Sequence, residues 1–137
     1  MKPENIELVQ KSWFLITQMD KKVLGRLFYN RLFKIAPDVK PMFNKRSMPA
    51  QYEKLLDMLS YIIKHLDQLD TIAENIAGLA QRHVAYGVQP AHYQAVGTAL
   101  LWSMRQGFGK YWEEEFTVAW NEIYSFIAAK MIAAGVE

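Results

Sequence analysis

Apolar residues recur every three or four positions along almost the whole chain, and this periodicity limits the possible folds more than any other feature. The first stretch shows it in Ile6, Val9, Trp13 and Ile16, which share one face of a helix. No stretch alternates apolar and polar residues as a half-buried strand would. In a chain of 137 residues, the pattern predicts one all-α domain over 1–137.

Proline and glycine interrupt the pattern where helices are expected to begin and end. They predict six main helices and a short turn helix at residues 37–43. The last helix is expected to begin near Trp112, where Glu113, Glu114 and Glu115 suit the positive end of a helix dipole. The other boundaries are set by Pro37, Pro41, Pro49, Gly87, Pro90 and Gly109.

Composition excludes several classes of function. The absence of cysteine excludes disulfides, thiolate catalysis and iron–sulfur clusters. A net charge of +2 from 16 basic and 14 acidic residues, scattered along the chain, gives no basic footprint for nucleic acid. Residues 1–7 do not resemble a signal peptide, and no apolar run reaches the ~18 residues of a membrane span. A cytoplasmic protein without a membrane partner is therefore expected.

His83 is the most informative single residue. It follows Ile72, Ile76, Leu79 and Ala80 on one apolar helical stripe. A buried imidazole needs partners, because an unpaired buried polar group costs a few kcal/mol. It could be an ordinary core histidine bonded to a backbone carbonyl, or it could bind a metal through its other nitrogen.

Two more apolar stripes each contain one hydrogen-bonding side chain. Tyr29 lies in the second helix, where it could be a core aromatic whose hydroxyl reaches the backbone. Gln51 lies in the first turn of the third helix, where it could simply cap the helix or meet water. Each residue alone fits a structural role, so only their combination with His83 and Phe43 points to a site.

The ordered set of motifs resembles the globin family, specifically the bacterial single-domain globins and the haem domain of flavohaemoglobins. The resemblance covers essentially the whole chain, with 32 residues from Gln51 to His83. It implies a globin fold, a sandwich of helices around haem b. The segments that carry it are LFYNRLF, PDVKPMF, QYEKLL, RHVAYGV, HYQAVGTALL and AWNEIYSFIA.

The resemblance assigns a role to each residue of the expected pocket. It implies that His83 is the proximal iron ligand, with its other N–H held by the Leu79 carbonyl. Phe43 would pack on the porphyrin, and Leu55 would be an apolar distal neighbour. Tyr29 and Gln51 would be the distal pair that stabilises the gas ligand. The proximal side would be lined by Tyr93 and Val96, and the propionates would be met by Lys54, Arg82 and Arg46.

The resemblance leaves three functions open. The first is reversible, high-affinity binding of O2 for storage or transport, with NO and CO as further ligands. The second is a nitric oxide dioxygenase, which would need an external reductase. The third is a gas sensor or a haem-free regulatory globin. The protein is expected to be a monomer or a homodimer.

One departure from the flavohaemoglobin pattern is expected to matter. In that family a glutamate of the last helix lies beside the proximal histidine. The matching position in this chain is Gly135, and Glu137 lies two residues further. A negatively charged partner for His83 is therefore not expected. Of the other histidines, His65 lies about 21 Å along the third helix from Gln51, at 1.5 Å per residue, and cannot reach the same iron. His92 is expected to be a half-exposed residue at a helix start.

Overall fold

A computed structural model describes residues 1–43 and 47–135, and this part of the chain contains helices and no strand. The predicted all-α class is confirmed. Three 3-10 helices, Pro37–Phe43, Leu66–Ile72 and Gly109–Tyr111, separate the longer elements. The α-helices are α1 (Pro3–Ile16), α2 (Lys21–Ile35), α3 (Met48–Lys64), α4 (Ala73–Ala85), α5 (Pro90–Phe108) and α6 (Glu114–Gly135).

Local chemistry accounts for most of the boundaries. Proline occupies the first turn of α1, α3 and α5, where its missing N–H costs nothing. Asp20 caps α2 by accepting a hydrogen bond from the backbone N–H of Lys22 at 2.8 Å. Gly87 and Gly109 both adopt positive φ, at 91° and 57°. They form the turns after α4 and α5, because glycine enters this region without strain.

Two boundaries differ from the prediction. The last helix begins at Glu114 rather than near Trp112, because Trp112 is extended (φ −69°, ψ 129°) and its indole N–H bonds Thr117 at 2.9 Å. The segment Leu66–Ile72 is a kinked 3-10 helix, with Gln68 at φ −141°. Ile72 therefore precedes α4 instead of sharing its first turn.

The helices pack in pairs that leave α3 and α4 apart. The helix pairs α1 and α6, α2 and α5, and α4 and α6 make the most extensive contacts, while α3 packs on α2. The tight α2–α3 crossing depends on Gly25, since a Cβ there would lie 2.3 Å from the Tyr52 ring. No helix in the described ranges is long and apolar enough to cross a membrane.

Candidate functional site

His83 lies near the end of α4 with one ring nitrogen fixed by the backbone. Its Nδ1 is 2.8 Å from the carbonyl oxygen of Leu79. A carbonyl only accepts, so Nδ1 carries the proton and Nε2 presents a lone pair. Within residues 1–43 and 47–135, no side chain or backbone group bonds Nε2. The predicted hydrogen bond to Leu79 is therefore present, and the nitrogen available to a metal is Nε2.

The surroundings of His83 favour the neutral imidazole. Partial burial lowers its pKa, and the neighbouring charge of Arg82 lowers it further, while the bond to Leu79 raises it. Ile76 and Ala80 on the same face of α4 are buried. Neutral imidazole is the form that binds a metal, so the environment suits a ligand role.

Tyr29 lies in an aromatic cluster on α2. Only 3% of the residue is exposed. Its ring meets Phe43 edge-on at 5.4 Å and stacks on Tyr52 at 5.7 Å, while Phe33 contacts both Tyr29 and Phe43. The structure therefore brings Tyr29 and Phe43 together as expected. Tyr52 is a member of the cluster that the sequence analysis missed.

Gln51 and Leu55 lie one turn apart on α3, and both are half-buried. The backbone N–H of Gln51 bonds the carbonyl of Ser47 at 3.0 Å. Its side-chain amide makes no hydrogen bond to the part of the chain that the structure describes. The amide is therefore not used as a helix cap within that part, which leaves its N–H groups for another acceptor.

A cavity of about 320 Å³ lies between α3 and α4. Leu79 and Arg82 line it from α4, and its wall includes Glu74 and Asn75 near the start of that helix. On α3 it is lined by Met58, Tyr61 and Ile62. The two helices that carry Gln51 and His83 thus hold a space between them, and its lining combines apolar side chains with Glu74 and Arg82. Gln51 and His83 themselves do not line it.

Tyr93 approaches His83 from α5, and Val96 follows it one turn later on the same helix; both are half-buried. The Tyr93 ring is nearly parallel to the His83 ring, with centroids 6.3 Å apart and an angle of 23°. Burial raises the pKa of the Tyr93 phenol. Tyr124 of α6 donates its hydroxyl proton to the Tyr93 carbonyl at 2.6 Å. Tyr93 is therefore held beside His83. The two rings are in contact, and the hydrogen-bond partner of His83 is the Leu79 carbonyl.

Three basic residues are expected to meet the propionates: Lys54, Arg82 and Arg46. Lys54 and Arg82 are exposed, and neither has an ion-pair partner in the described ranges. Arg82 lies at the cavity between α3 and α4. Arg46 and Glu137 lie outside the described residues. Gly135 packs against α4, where a Cβ would lie 2.9 Å from Val84 and 3.6 Å from the Ala80 carbonyl oxygen.

The two other histidines serve the scaffold. Nδ1 of His65 bonds the Tyr61 carbonyl at 2.8 Å, the same one-turn pattern as His83. His92 differs from the expectation of half exposure, since only 12% of its side chain is exposed. Its ring bridges Gln89 and Asp38. Asp38 was not singled out from the sequence, because a partner 54 residues away leaves no local signal.

Comparison with known proteins identifies the relatives of this chain. The globin family model matches residues 26–131. A flavohemoprotein of Xylella fastidiosa is 30% identical over 128 residues, which is 92% of this chain and 32% of that protein. A neuroglobin of Tetraodon nigroviridis is 26% identical over 91% of this chain and 86% of its own length. The chain spans about a third of the length of the flavohemoproteins it matches.

A solved structure supports the same assignment at the level of the fold. A bacterial globin from Campylobacter jejuni superposes with a TM-score of 0.85 at 25% identity, covering 98% of this chain and 96% of the other. The expected globin fold is thereby confirmed, and the family model covers more than half of the chain. This chain therefore belongs to the globin family.

Proposed function

We propose that the protein binds haem b through Nε2 of His83 and takes up O2 reversibly with high affinity, in the cytoplasm. The observation that carries the proposal is the arrangement of His83. Its Nδ1–H donates to the Leu79 carbonyl at 2.8 Å, and burial favours the neutral ring by lowering its pKa. A neutral imidazole with one nitrogen anchored and the other open is the usual arrangement of a metal-binding histidine.

The residues present fit the haem group. The imidazole of His83 offers Nε2 as an iron ligand, and the half-buried apolar side chains on α3 and α5 suit a flat apolar ring. Among the described residues that are predicted to contact haem, only Arg82 also lines the cavity between α3 and α4. Phe43, Leu55, Tyr93 and Val96 are half-buried and pack on the core, so they can line the two faces of the ring. Lys54 and Arg82 can meet the carboxylates as exposed cations.

Haem, when bound, supplies an iron atom that coordinates diatomic gases and shifts negative charge onto O2 more than onto CO. The chain contributes the proton donors that discriminate between them. The Tyr29 hydroxyl and the Gln51 amide can donate to a negatively charged ligand, and a hydrogen bond to a charged group contributes about 1.5–3 kcal/mol. Leu55 and Phe43 restrict the access of water to this side of the pocket.

The optical spectrum of the purified protein tests the proposal. The ferric, reduced and oxygenated forms should show distinct Soret bands, and stopped flow should show slow release of O2. CO should bind the reduced protein without the same stabilisation from Tyr29. Absence of a Soret band after addition of hemin would reject the proposal and leave a haem-free regulatory globin.

A second candidate is a nitric oxide dioxygenase served by a separate reductase. The observation in its favour is the match to flavohemoproteins about three times as long as this chain. The same distal donors would serve both functions, so turnover must separate them. With NO, O2 and a reductase with its electron donor supplied, repeated conversion to nitrate would favour the enzyme, and a single turnover would favour the carrier.

A further inference from the structure

His92 joins two segments that are distant in sequence. It lies in the first turn of α5, and its Nε2 is 2.7 Å from Oδ2 of Asp38 in the 3-10 helix Pro37–Phe43. The His92 side chain is 12% exposed and that of Asp38 is 68% exposed. The hydrogen bond from His92 lowers the pKa of the Asp38 carboxyl.

Both ring nitrogens of His92 make hydrogen bonds, and their directions fix the tautomer of the ring. The backbone N–H of Gln89 donates to Nδ1 at 2.9 Å, so Nδ1 carries no proton and Nε2 donates to Asp38. The first bond is half of a capping box at the start of α5. The His92 ring is therefore oriented by its own helix before it reaches Asp38.

The 3-10 helix Pro37–Phe43 also meets the turn that joins α4 to α5, close to His83. The terminal methyl group of Met42 lies 3.9 Å from the position that a Cβ on Gly87 would take. Met42 precedes Phe43, and Gly87 belongs to the turn after His83. That turn is bonded to the ligand helix, because the N–H of Val88 donates to the His83 carbonyl at 3.0 Å.

We propose that the His92–Asp38 hydrogen bond is a positioning contact that holds the Phe43 segment against the turn after His83 and thereby slows haem loss. This inference rests on the proposed haem function. Phe43 and His83 lie on segments that must separate for a haem between them to leave. The bond joins those segments outside the pocket, so His92 and Asp38 act through Phe43 and His83 without touching the cofactor.

Two single variants and their double variant test the contact. His92→Gln keeps a side chain that can cap Gln89 but shortens its reach to Asp38, and Asp38→Ala removes the acceptor. Asp67→Ala is the matched control, because Asp67 is an exposed aspartate in the other long 3-10 helix. Haem loss is measured as transfer from the ferric protein to excess apomyoglobin, and amide hydrogen exchange of residues 38–43 is measured on haem-free protein.

Each single variant should lose haem about two- to fivefold faster, the range expected for one hydrogen bond from a neutral imidazole to a largely exposed carboxylate. The double variant should match the singles, since both remove one interaction. Exchange at residues 38–43 should accelerate by a similar factor, and Asp67→Ala should change neither rate. Additive haem loss, unchanged haem loss or unchanged exchange would overturn the inference.

Failure of the proposed function would be recognised separately. A wild-type protein without a Soret band would reject haem binding and, with it, a role in haem retention. The exchange measurement on haem-free protein would still show whether His92 and Asp38 hold the Phe43 segment in place.

Discussion

The carbonyl oxygen of Leu79 lies 2.8 Å from Nδ1 of His83, one turn back along the same helix. This bond fixes the rotation of the imidazole and places the ring proton on Nδ1. His65 makes the same bond to Tyr61, also at 2.8 Å. The two histidines therefore share a local geometry, and they differ in their aromatic neighbour, which is Tyr93 for His83 and Tyr61 for His65.

Replacing His83 by glycine should abolish the normal haem spectrum, and added imidazole should restore it by occupying the vacated space. His65→Gly is the control, since it removes an equivalent backbone bond from α3. Absorption spectra of hemin-reconstituted proteins would measure both. A normal spectrum in His83→Gly without imidazole would show that another residue binds the iron.

Tyr29→Phe should accelerate O2 release by about 10- to 150-fold, because a hydrogen bond to a charged ligand contributes about 1.5–3 kcal/mol. The buried ring and its contacts with Phe43 and Tyr52 can be retained, so packing should change little. Tyr52→Phe is the matched control in the same cluster and should leave the rate near wild type. Stopped-flow displacement of O2 would measure the rates, and equal rates for all three proteins would remove Tyr29 from the distal role.

Gly25→Ala should destabilise the haem-free protein by about 1–3 kcal/mol, the usual cost of overpacking a core. A Cβ at this position would lie 2.3 Å from the Tyr52 ring and within 2.7 Å of its Cβ, so α2 and α3 would have to separate. Urea unfolding would measure the change.

Gly78→Ala is the control for helix propensity. Its nearest neighbour would be the flexible end of Arg82 at 3.5 Å, so alanine should stabilise α4 by roughly 0.5–1 kcal/mol. Equal effects of the two substitutions would contradict the packing argument for Gly25.

Tyr124→Phe should change the response of stability to alkaline pH. Burial, followed by the nearby Tyr93, raises the pKa of Tyr124, whereas an unfolded tyrosine titrates near ~10. The contribution of Tyr124 to the free energy of unfolding is complete below pH ~10. It is lost at higher pH, because only the unfolded chain then releases the phenol proton. The slope is about 1.4 kcal/mol per pH unit.

Near neutral pH the variant should be less stable by about 1 kcal/mol, since the hydrogen bond to the Tyr93 carbonyl is lost. Between pH 10 and 11 the difference should shrink or reverse. Tyr111→Phe is the control, because Tyr111 is 70% exposed. Parallel stability curves for wild type and Tyr124→Phe, measured by urea unfolding, would be inconsistent with the raised pKa.

Features encoded in short stretches of sequence could be predicted. The apolar periodicity indicated the helices, and proline and glycine indicated most of their ends. The bond between His83 and Leu79, which the resemblance to globins implied, is present. The roles of Tyr29, Gln51, Phe43 and the proximal residues came from the resemblance to globins and stay predictions.

Features that depend on distant partners could not be predicted. Tyr52 joins the Tyr29 cluster only because Gly25, on another helix, leaves room for it. The kink at Gln68 has no proline or glycine beside it to indicate it. Likewise, a histidine at a helix start gives no sign that it will bond an aspartate 54 residues earlier.

The buried serine that links α1 to α6 has a consequence for how the molecule is made. The indole N–H of Trp120 donates to Ser12 at 2.8 Å across 108 residues of sequence. At about 5–20 residues per second of synthesis, α1 exists for roughly 5–20 seconds before α6 follows it. During that interval Trp13 lacks Trp120, whose ring later lies 5.9 Å from its own. The nascent chain therefore exposes part of the apolar face of α1 until its last helix is complete.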